Sequence, residues 1–365
     1  MTDDLERRLR ELSPAQRELF LRLSEQQPPG ATPSPASYPL SPAQERFWFL
    51  EQIAPGEPAH HLTGVLCLTG ELDVPALQDA LDRLVARHEA LRTCFRAADG
   101  VPTAHVQASA HAPLHSEDLR ALDDAQRTAR RSELLARCAA IELARCPLLR
   151  CSLLRLAHDE WQLLWGVHHI VADGLSMLVL ANELIALYGA LVGEPASPLP
   201  PAPLQYHDFA AWQAARERRG AFAPGLAWYA EQLREPPTTR LPADHEAAGG
   251  TARGGRCRQA LADEVTTALL AVGRSEGCTA YQTMLAGFVA ALMRWTASGD
   301  LVLGTPVANR THASLQAAFG LFVNSAVLRF RPDGDASFRA LLQHVRAVAT
   351  ATFAHGDVPF ERLVQ

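Results

Sequence analysis

Two histidines stand side by side at the end of an almost wholly apolar run, in Val167-His168-His169-Ile170-Val171-Ala172-Asp173-Gly174-Leu175-Ser176. A neutral imidazole, with a pKa of about 6.5, can accept a proton at physiological pH. Two such rings at the end of a buried strand are costly unless partnered. Neighbouring strand residues project to opposite faces. His168 and His169 are therefore expected to part, one facing a site and the other the packing layer. Asp173 follows past the strand end, where its carboxylate can fix the turn by pairing with an arginine rather than touch a substrate. Gly174 allows close backbone approach and leaves its N–H available. Two other readings stay open on the pattern alone. One is a packed His pair with an Asp helix cap; the other is a His–Asp metal site, for which no third ligand is evident. A second pair, His60-His61, sits in a Pro-Gly-Glu-Pro-Ala context and reads as surface.

The elements that must position these groups are legible in outline. Residues 1–27 carry Leu5, Leu9, Leu12, Leu19, Phe20 and Leu23 among charges, a helical segment that reads either as a plain N-terminal extension packed on its own domain or as a docking element between polypeptides. Residues 28–37 have linker composition. Ser41-Pro42-Ala43-Gln44 predicts a capped helix start. Helices are expected over Pro75–His88, Asp123–Leu143, Gly174–Val192, Asp263–Glu276, Tyr281–Ala297 and Phe338–Phe353. Strands are expected over Leu91–Arg96 and Val101–Val106, joined as a hairpin through Asp99-Gly100. Others fall around Leu148–Leu156, Trp161–Ile170, Leu301–Val307 and Phe322–Phe330. Strands alternating with helices give an α/β layered class. The Pro-, Gly- and Ser-rich stretches divide the body into a first lobe over 38–204, a connection over 205–255 and a second lobe over 256–365.

Composition narrows the function. The 365 residues carry a net charge of −6 and 48% apolar residues, enough for real cores and without the basic excess that nucleic-acid binding requires. All 34 basic residues are arginine, so no lysine is present to form a Schiff base. Seven cysteines without a C-x-x-C pair suggest neither a disulfide framework nor a zinc site, and most read as small buried thiols. The charged N-terminus lacks an apolar signal core, and no run approaches the ~18–20 apolar residues of a membrane span, so the chain reads as cytoplasmic.

His169-x-x-x-Asp173-Gly174 resembles the signature of chloramphenicol acetyltransferase-like acyltransferases and of the condensation domains of nonribosomal peptide synthesis. The doubled histidine and six further segments, in the same order, resemble the condensation family. These are Ser41-Pro42-Ala43-Gln44-Glu45-Arg46-Phe47-Trp48-Phe49-Leu50, Arg87–Phe95, Tyr206–Trp212, Gly304–Arg310, Gly320–Ser325 and His355–Glu361, the last with Gly356 where the family usually has Gln.

The resemblance implies two acetyltransferase-like lobes in a V-shaped pseudo-dimer, each a mixed sheet flanked by helices, with a tunnel between them. It implies peptide-bond formation between a donor thioester and an acceptor amine, each tethered by 4'-phosphopantetheine to a partner carrier protein, with no cofactor or metal held by the chain itself. His169 then matches the functional histidine and His168 its structural neighbour. Asp173 is expected on an arginine, Arg310 first and Arg92 behind it, with Asn324, Ser325 and Trp212 toward the substrate. Arg87–Phe95 and the His168–Ser176 region look most like domains joining two L-configured residues; a starter acylating type is the alternative. The chain stops soon after Pro359-Phe360-Glu361, which reads as a truncated second lobe. Rival readings are an acyltransferase using a soluble thioester and a carrier-docking module without catalysis.

Overall fold

Ser41 and Gln44 close a capping box: the Ser41 hydroxyl accepts the Gln44 N–H, and the Gln44 side chain accepts the Ser41 N–H. They start α1 (Pro42–Ile53) just after β1 (Ser37–Pro39). The chain, a computed structural model, is described over residues 30–194, 199–200, 204–238, 240–243, 255 and 257–364. The helical reading of residues 1–27 lies outside these. The chain divides into two compact units, the first running to Ala221 and including Ala308–Val323, the second taking Phe222–Val307 and the residues from Asn324 onward.

In the first unit, β3 (Thr93–Ala98) and β4 (Val101–Val106) pair antiparallel, with β1 on the far side of β4. Their link is Asp99-Gly100, with φ of 51° and 79°. Both are left-handed, the conformation a two-residue hairpin turn requires. A second sheet has the order β2 (His61–Thr69), β7 (Glu160–His168), β6 (Leu149–Arg155), β5 (Leu114–Asp118). Only β5–β6 is parallel; β2–β7 and β6–β7 are antiparallel. The helices α2 (Val74–Arg87), α3 (Asp124–Ala139) and α4 (Gly174–Leu191) pack on this frame. Their apolar stripes join Leu81, Leu84, Leu153, Leu163, Val167 and Leu180 in one core.

Two sequence expectations change here. At 18 residues and a mean hydropathy of 1.6, α4 has the length and composition of a membrane span, contrary to the reading that no run approaches one. It nevertheless packs Leu180 and Leu184 into the core, and it buries Glu183, whose carboxylate accepts from Arg87 Nε at 2.9 Å and His88 Nε2 at 2.6 Å. The first unit also runs past 204. It takes in α5 (Tyr206–Arg218), because Tyr206, Phe209 and Ala210 belong to the first core.

In the second unit, β8 (Leu301–Val307) and β9 (Asn324–Phe330) pair antiparallel. Beside them lie α6 (Ala223–Gln232), α7 (Asp263–Ser275), α8 (Ala280–Thr296), α9 (Phe338–Phe353) and α10 (Phe360–Leu363). Val289, Leu301, Leu328, Phe330, Leu342 and Val345 form their shared core. Both units are sheet-and-helix structures, the α/β class expected from the sequence.

Candidate active site

The last residue of β7 is His168, and the chain then tightens into a 3-10 turn over His169–Val171 before α4 begins. The two histidines separate at this break. His168 is fully buried, and its Nδ1 accepts the Ile170 N–H at 3.0 Å. His169, already out of the strand, is half-buried and lies flat against Phe47, with ring centroids 4.7 Å apart and planes 18° from parallel. His169 Nδ1 is buried, with no side chain bonded to it among the described residues. Burial pushes the His169 pKa below its ordinary value. Arg46 adds to the fall, while the carbonyls of His169 and Ala172 and the Asp173 carboxylate oppose it. The resulting ring is neutral near physiological pH and able to take a proton.

Both carboxylate oxygens of Asp173 are engaged within the fold. As the N-cap of α4 it accepts the Ser176 N–H on Oδ1 at 2.8 Å. Its Oδ2 accepts the N–H groups of Phe322 and Val323 at 3.0 and 3.2 Å. Arg310 Nη2 donates to Oδ1 at 3.1 Å, and Nη1 donates to the carbonyls of Leu315 and Ala318. The Arg310 guanidinium also lies 4.2 Å from the centre of the Phe322 ring. Arg92, the other candidate partner, is held elsewhere: it donates to the Gln107 carbonyl and lies 3.5 Å from Glu89, so Asp173 is beyond its engagement.

Several of the motif segments meet around this turn. Gln44 Nε2 donates to the Ile170 carbonyl at 3.2 Å. Tyr206 Oη donates to the Leu321 carbonyl at 2.8 Å and so accepts from Ser41 Oγ, 2.7 Å away. Ser176 Oγ accepts from the Gly320 N–H at 3.1 Å. Gly320 must be glycine here, since a Cβ would stand 2.1 Å from the Tyr206 ring. Gly174, the first residue of α4, is exposed with open space about it. The Asp173 side chain caps Ser176, so the Gly174 N–H is one of the amides a helix start leaves for other partners.

The three residues read as substrate-facing each have neighbours within their own unit. Asn324 has its amide fully engaged within the second unit: Nδ2 donates to the Gly356 and Val358 carbonyls at 3.0 and 2.6 Å, and Oδ1 accepts the Phe360 N–H at 3.0 Å. It is a latch on the 356–360 turn. Ser325 is half-buried in β9 opposite Pro306. Trp212 lies on α5, with Phe209 and His312 as ring neighbours and Arg216 over its face.

The sequence reading missed a buried layer behind the turn. His60 and His61, expected at the surface, are 6% and 7% exposed. Strand register explains it, because β2 opens at His61 directly across from His168. The two rings meet edge to face at 4.9 Å, and His61 Nδ1 donates to the Glu57 carbonyl. Glu51 Oε2 lies 2.9 Å from His60 Nδ1 and 3.5 Å from His168 Nε2. Burial and then the neighbouring His61 push the His168 pKa down to about 4, against the pull of Glu51. Phe47 and Glu51 stand one turn apart on α1 and so share a face. That i, i+4 spacing in a capped helix was the available signal.

Glu51, His60 and His168 offer ligand atoms within 4.8 Å of one another, a grouping a divalent ion could use. His168 does not suit it. Its Nδ1 takes the Ile170 N–H, so its proton sits on Nε2, the atom that would have to bind. Moving the proton to Nδ1 would set two donors against each other. The trio is a hydrogen-bonded brace.

The sequence model of the Condensation domain family matches residues 35–365. Phosphinothricin tripeptide synthetase PhsC of Streptomyces viridochromogenes is 40% identical over 374 residues, covering 99% of this chain and 34% of its own length. The chain thus spans about a third of that relative. The first condensation domain of the calcium-dependent antibiotic synthetase, solved with a substrate analogue, superposes with a TM-score of 0.74 at 26% identity, over 91% of this chain and 78% of its own. The X-domain from teicoplanin biosynthesis, solved in complex with OxyB, gives a TM-score of 0.79 at 28% identity, covering 92% and 74%.

Proposed function

Because the chain belongs to the condensation-domain family, we propose that it joins a carrier-bound acyl or peptidyl thioester to the amine of a carrier-bound aminoacyl group, as an acyltransferase forming an amide bond. The carrying observation is the half-buried His169 ring, stacked on Phe47, on a turn fixed by the buried Asp173–Arg310 pair.

The chemistry follows from that placement. Attack of the amine nitrogen on the thioester carbonyl gives a zwitterionic tetrahedral intermediate. Its nitrogen must lose a proton before the thiolate leaves and the amide forms. His169 Nε2 accepts that proton or holds the amine by a hydrogen bond, and general-base help of this kind contributes typically ~10²–10⁴-fold. The Gly174 N–H is the donor proposed for the developing oxyanion. Asp173 and Arg310 touch no substrate in this account; they hold the turn.

Donor and acceptor arrive on 4'-phosphopantetheine arms of partner carrier proteins, within a cytoplasmic assembly of synthetase modules, and the joining of two L-configured residues is the favoured type. The name of PhsC, a tripeptide synthetase, supports the peptide-forming reading. Supplying one aminoacyl donor either on a carrier or as a soluble coenzyme A thioester tests it. Product is expected from the carrier-bound donor; equal rates from both would favour an acyltransferase with a soluble substrate.

A further inference from the structure

Catalytic histidines are ordinarily oriented by a third group that bonds the far ring nitrogen. In this site no side chain serves as that group: both Asp173 oxygens are committed to Arg310, Ser176, Phe322 and Val323. The polar groups that favour the ring's proton are backbone carbonyls of the turn itself, at His169 and Ala172. Among side chains, the plane of the imidazole is therefore set by packing. The packing is one-sided and specific: Phe47, 8% exposed, presents its ring face to the imidazole at 4.7 Å and 18°.

We propose that Phe47 is a positioning residue for His169, holding the imidazole plane by stacking, and that the Glu51–His60 pair braces the Phe47 ring. His60 meets Phe47 edge-on at 6.3 Å, and Glu51 fixes His60 at 2.9 Å while accepting the Gly56 N–H at 2.8 Å. The same helix holds the next link of the chain, through Gln44 Nε2 on the Ile170 carbonyl. One rigid element thus sets both the backbone after His169 and the face of its ring. The charged groups facing His169 are Arg46 from α1, which favours the neutral ring, and Asp173 from the cap of α4, which opposes it. Phe47 adds to the burial that outweighs both.

The inference rests on the condensation reading for its kinetic consequence but not for its geometry, and the test separates the two. Phe47→Leu and Phe47→Tyr are compared with the wild-type chain by imidazole NMR titration, the His169 signal being identified by its loss in His169→Gln. Condensation rates against pH are measured in parallel. In Phe47→Leu the His169 titration moves up toward its ordinary value, the acid limb of the rate profile moves with it, and the rate falls about tenfold or more, as for a misplaced reacting group. Phe47→Tyr keeps both near wild type. A His169 titration unmoved in Phe47→Leu overturns the proposal, even with a lowered melting temperature. Should the wild-type chain form no product, the titration alone still decides it.

Discussion

Asp173 and His169 belong to one short turn, yet the structure gives them opposite characters. Both carboxylate oxygens of Asp173 are taken by Arg310, Ser176 and two backbone amides, whereas the His169 ring is half-buried and bonds no side chain among the described residues. Breaking a buried ion pair by removing one partner costs about 3–5 kcal/mol. Asp173→Ala is therefore expected to reduce the yield of folded protein and the melting temperature together with activity. Normal melting with lost activity would instead place Asp173 in the chemistry. The histidines predict an acid sensitivity. Unfolded histidine takes up protons at a pKa of about 6.5, while folded His168 does so only at about 4, with burial lowering His61 and His169 as well. Between those values the unfolded chain binds more protons, so stability rises with pH and is lost as pH falls from about 6.5 toward 4. His207 does not reverse this. Burial would lower it, but Glu89 and Asp208 raise it above its ordinary value, so its contribution fades only on the alkaline side. Denaturant midpoints across this range check the slope, and a midpoint that climbs as pH falls would contradict it. At this scale the sequence showed the motif but not all its partners. Arg310, ranked ahead of Arg92, is the arginine that holds Asp173 across 137 residues, but Ser176 and the Phe322 and Val323 amides that complete its partners carried no such signal.

Elements with strong local signals were legible: the capped start of α1, the left-handed Asp99-Gly100 turn, and α9 over Phe338–Phe353. Those whose identity depends on a distant partner were not. β2 carries Gly64 and only weak alternation, and it exists as a strand because β7 pairs with it along its whole length. His60 and His61 read as loop residues for the same reason, since their burial comes from register and not from local composition. One tight junction between elements is Gly320 against Tyr206. A Cβ there meets the Tyr206 ring at 2.1 Å, and Tyr206 is pinned by Leu321 and Ser41. Gly320→Ala is expected to destabilise the chain by about 1–3 kcal/mol, the usual cost of overpacking. Chemical denaturation measures it, and an unchanged midpoint would show the junction to be softer than its geometry implies.

Across the whole molecule, the Pro- and Gly-rich stretches suggested joints at 205 and 255, but the units follow side-chain burial. The segment Ala308–Val323, read from sequence as second-lobe, joins the first unit because Arg310, Leu315, Phe319 and Phe322 are buried there. Sequence motifs scattered over 280 or so positions thereby converge on a single turn, through Ser41, Gln44, Asp173, Tyr206, Arg310 and Gly320. Gly304–Val307, Asn324, Ser325 and the His355–Glu361 segment belong to the second unit. The chain spans 34% of the length of PhsC and 29% of that of PhsB. The most direct test follows the acceptor carrier by intact mass after mixing with an aminoacyl-loaded donor carrier and either wild type or His169→Ala. The account predicts the peptide mass on the acceptor with wild type and a rate at least about 10²-fold lower with His169→Ala at unchanged melting temperature. Product formed as fast by His169→Ala as by wild type would contradict it.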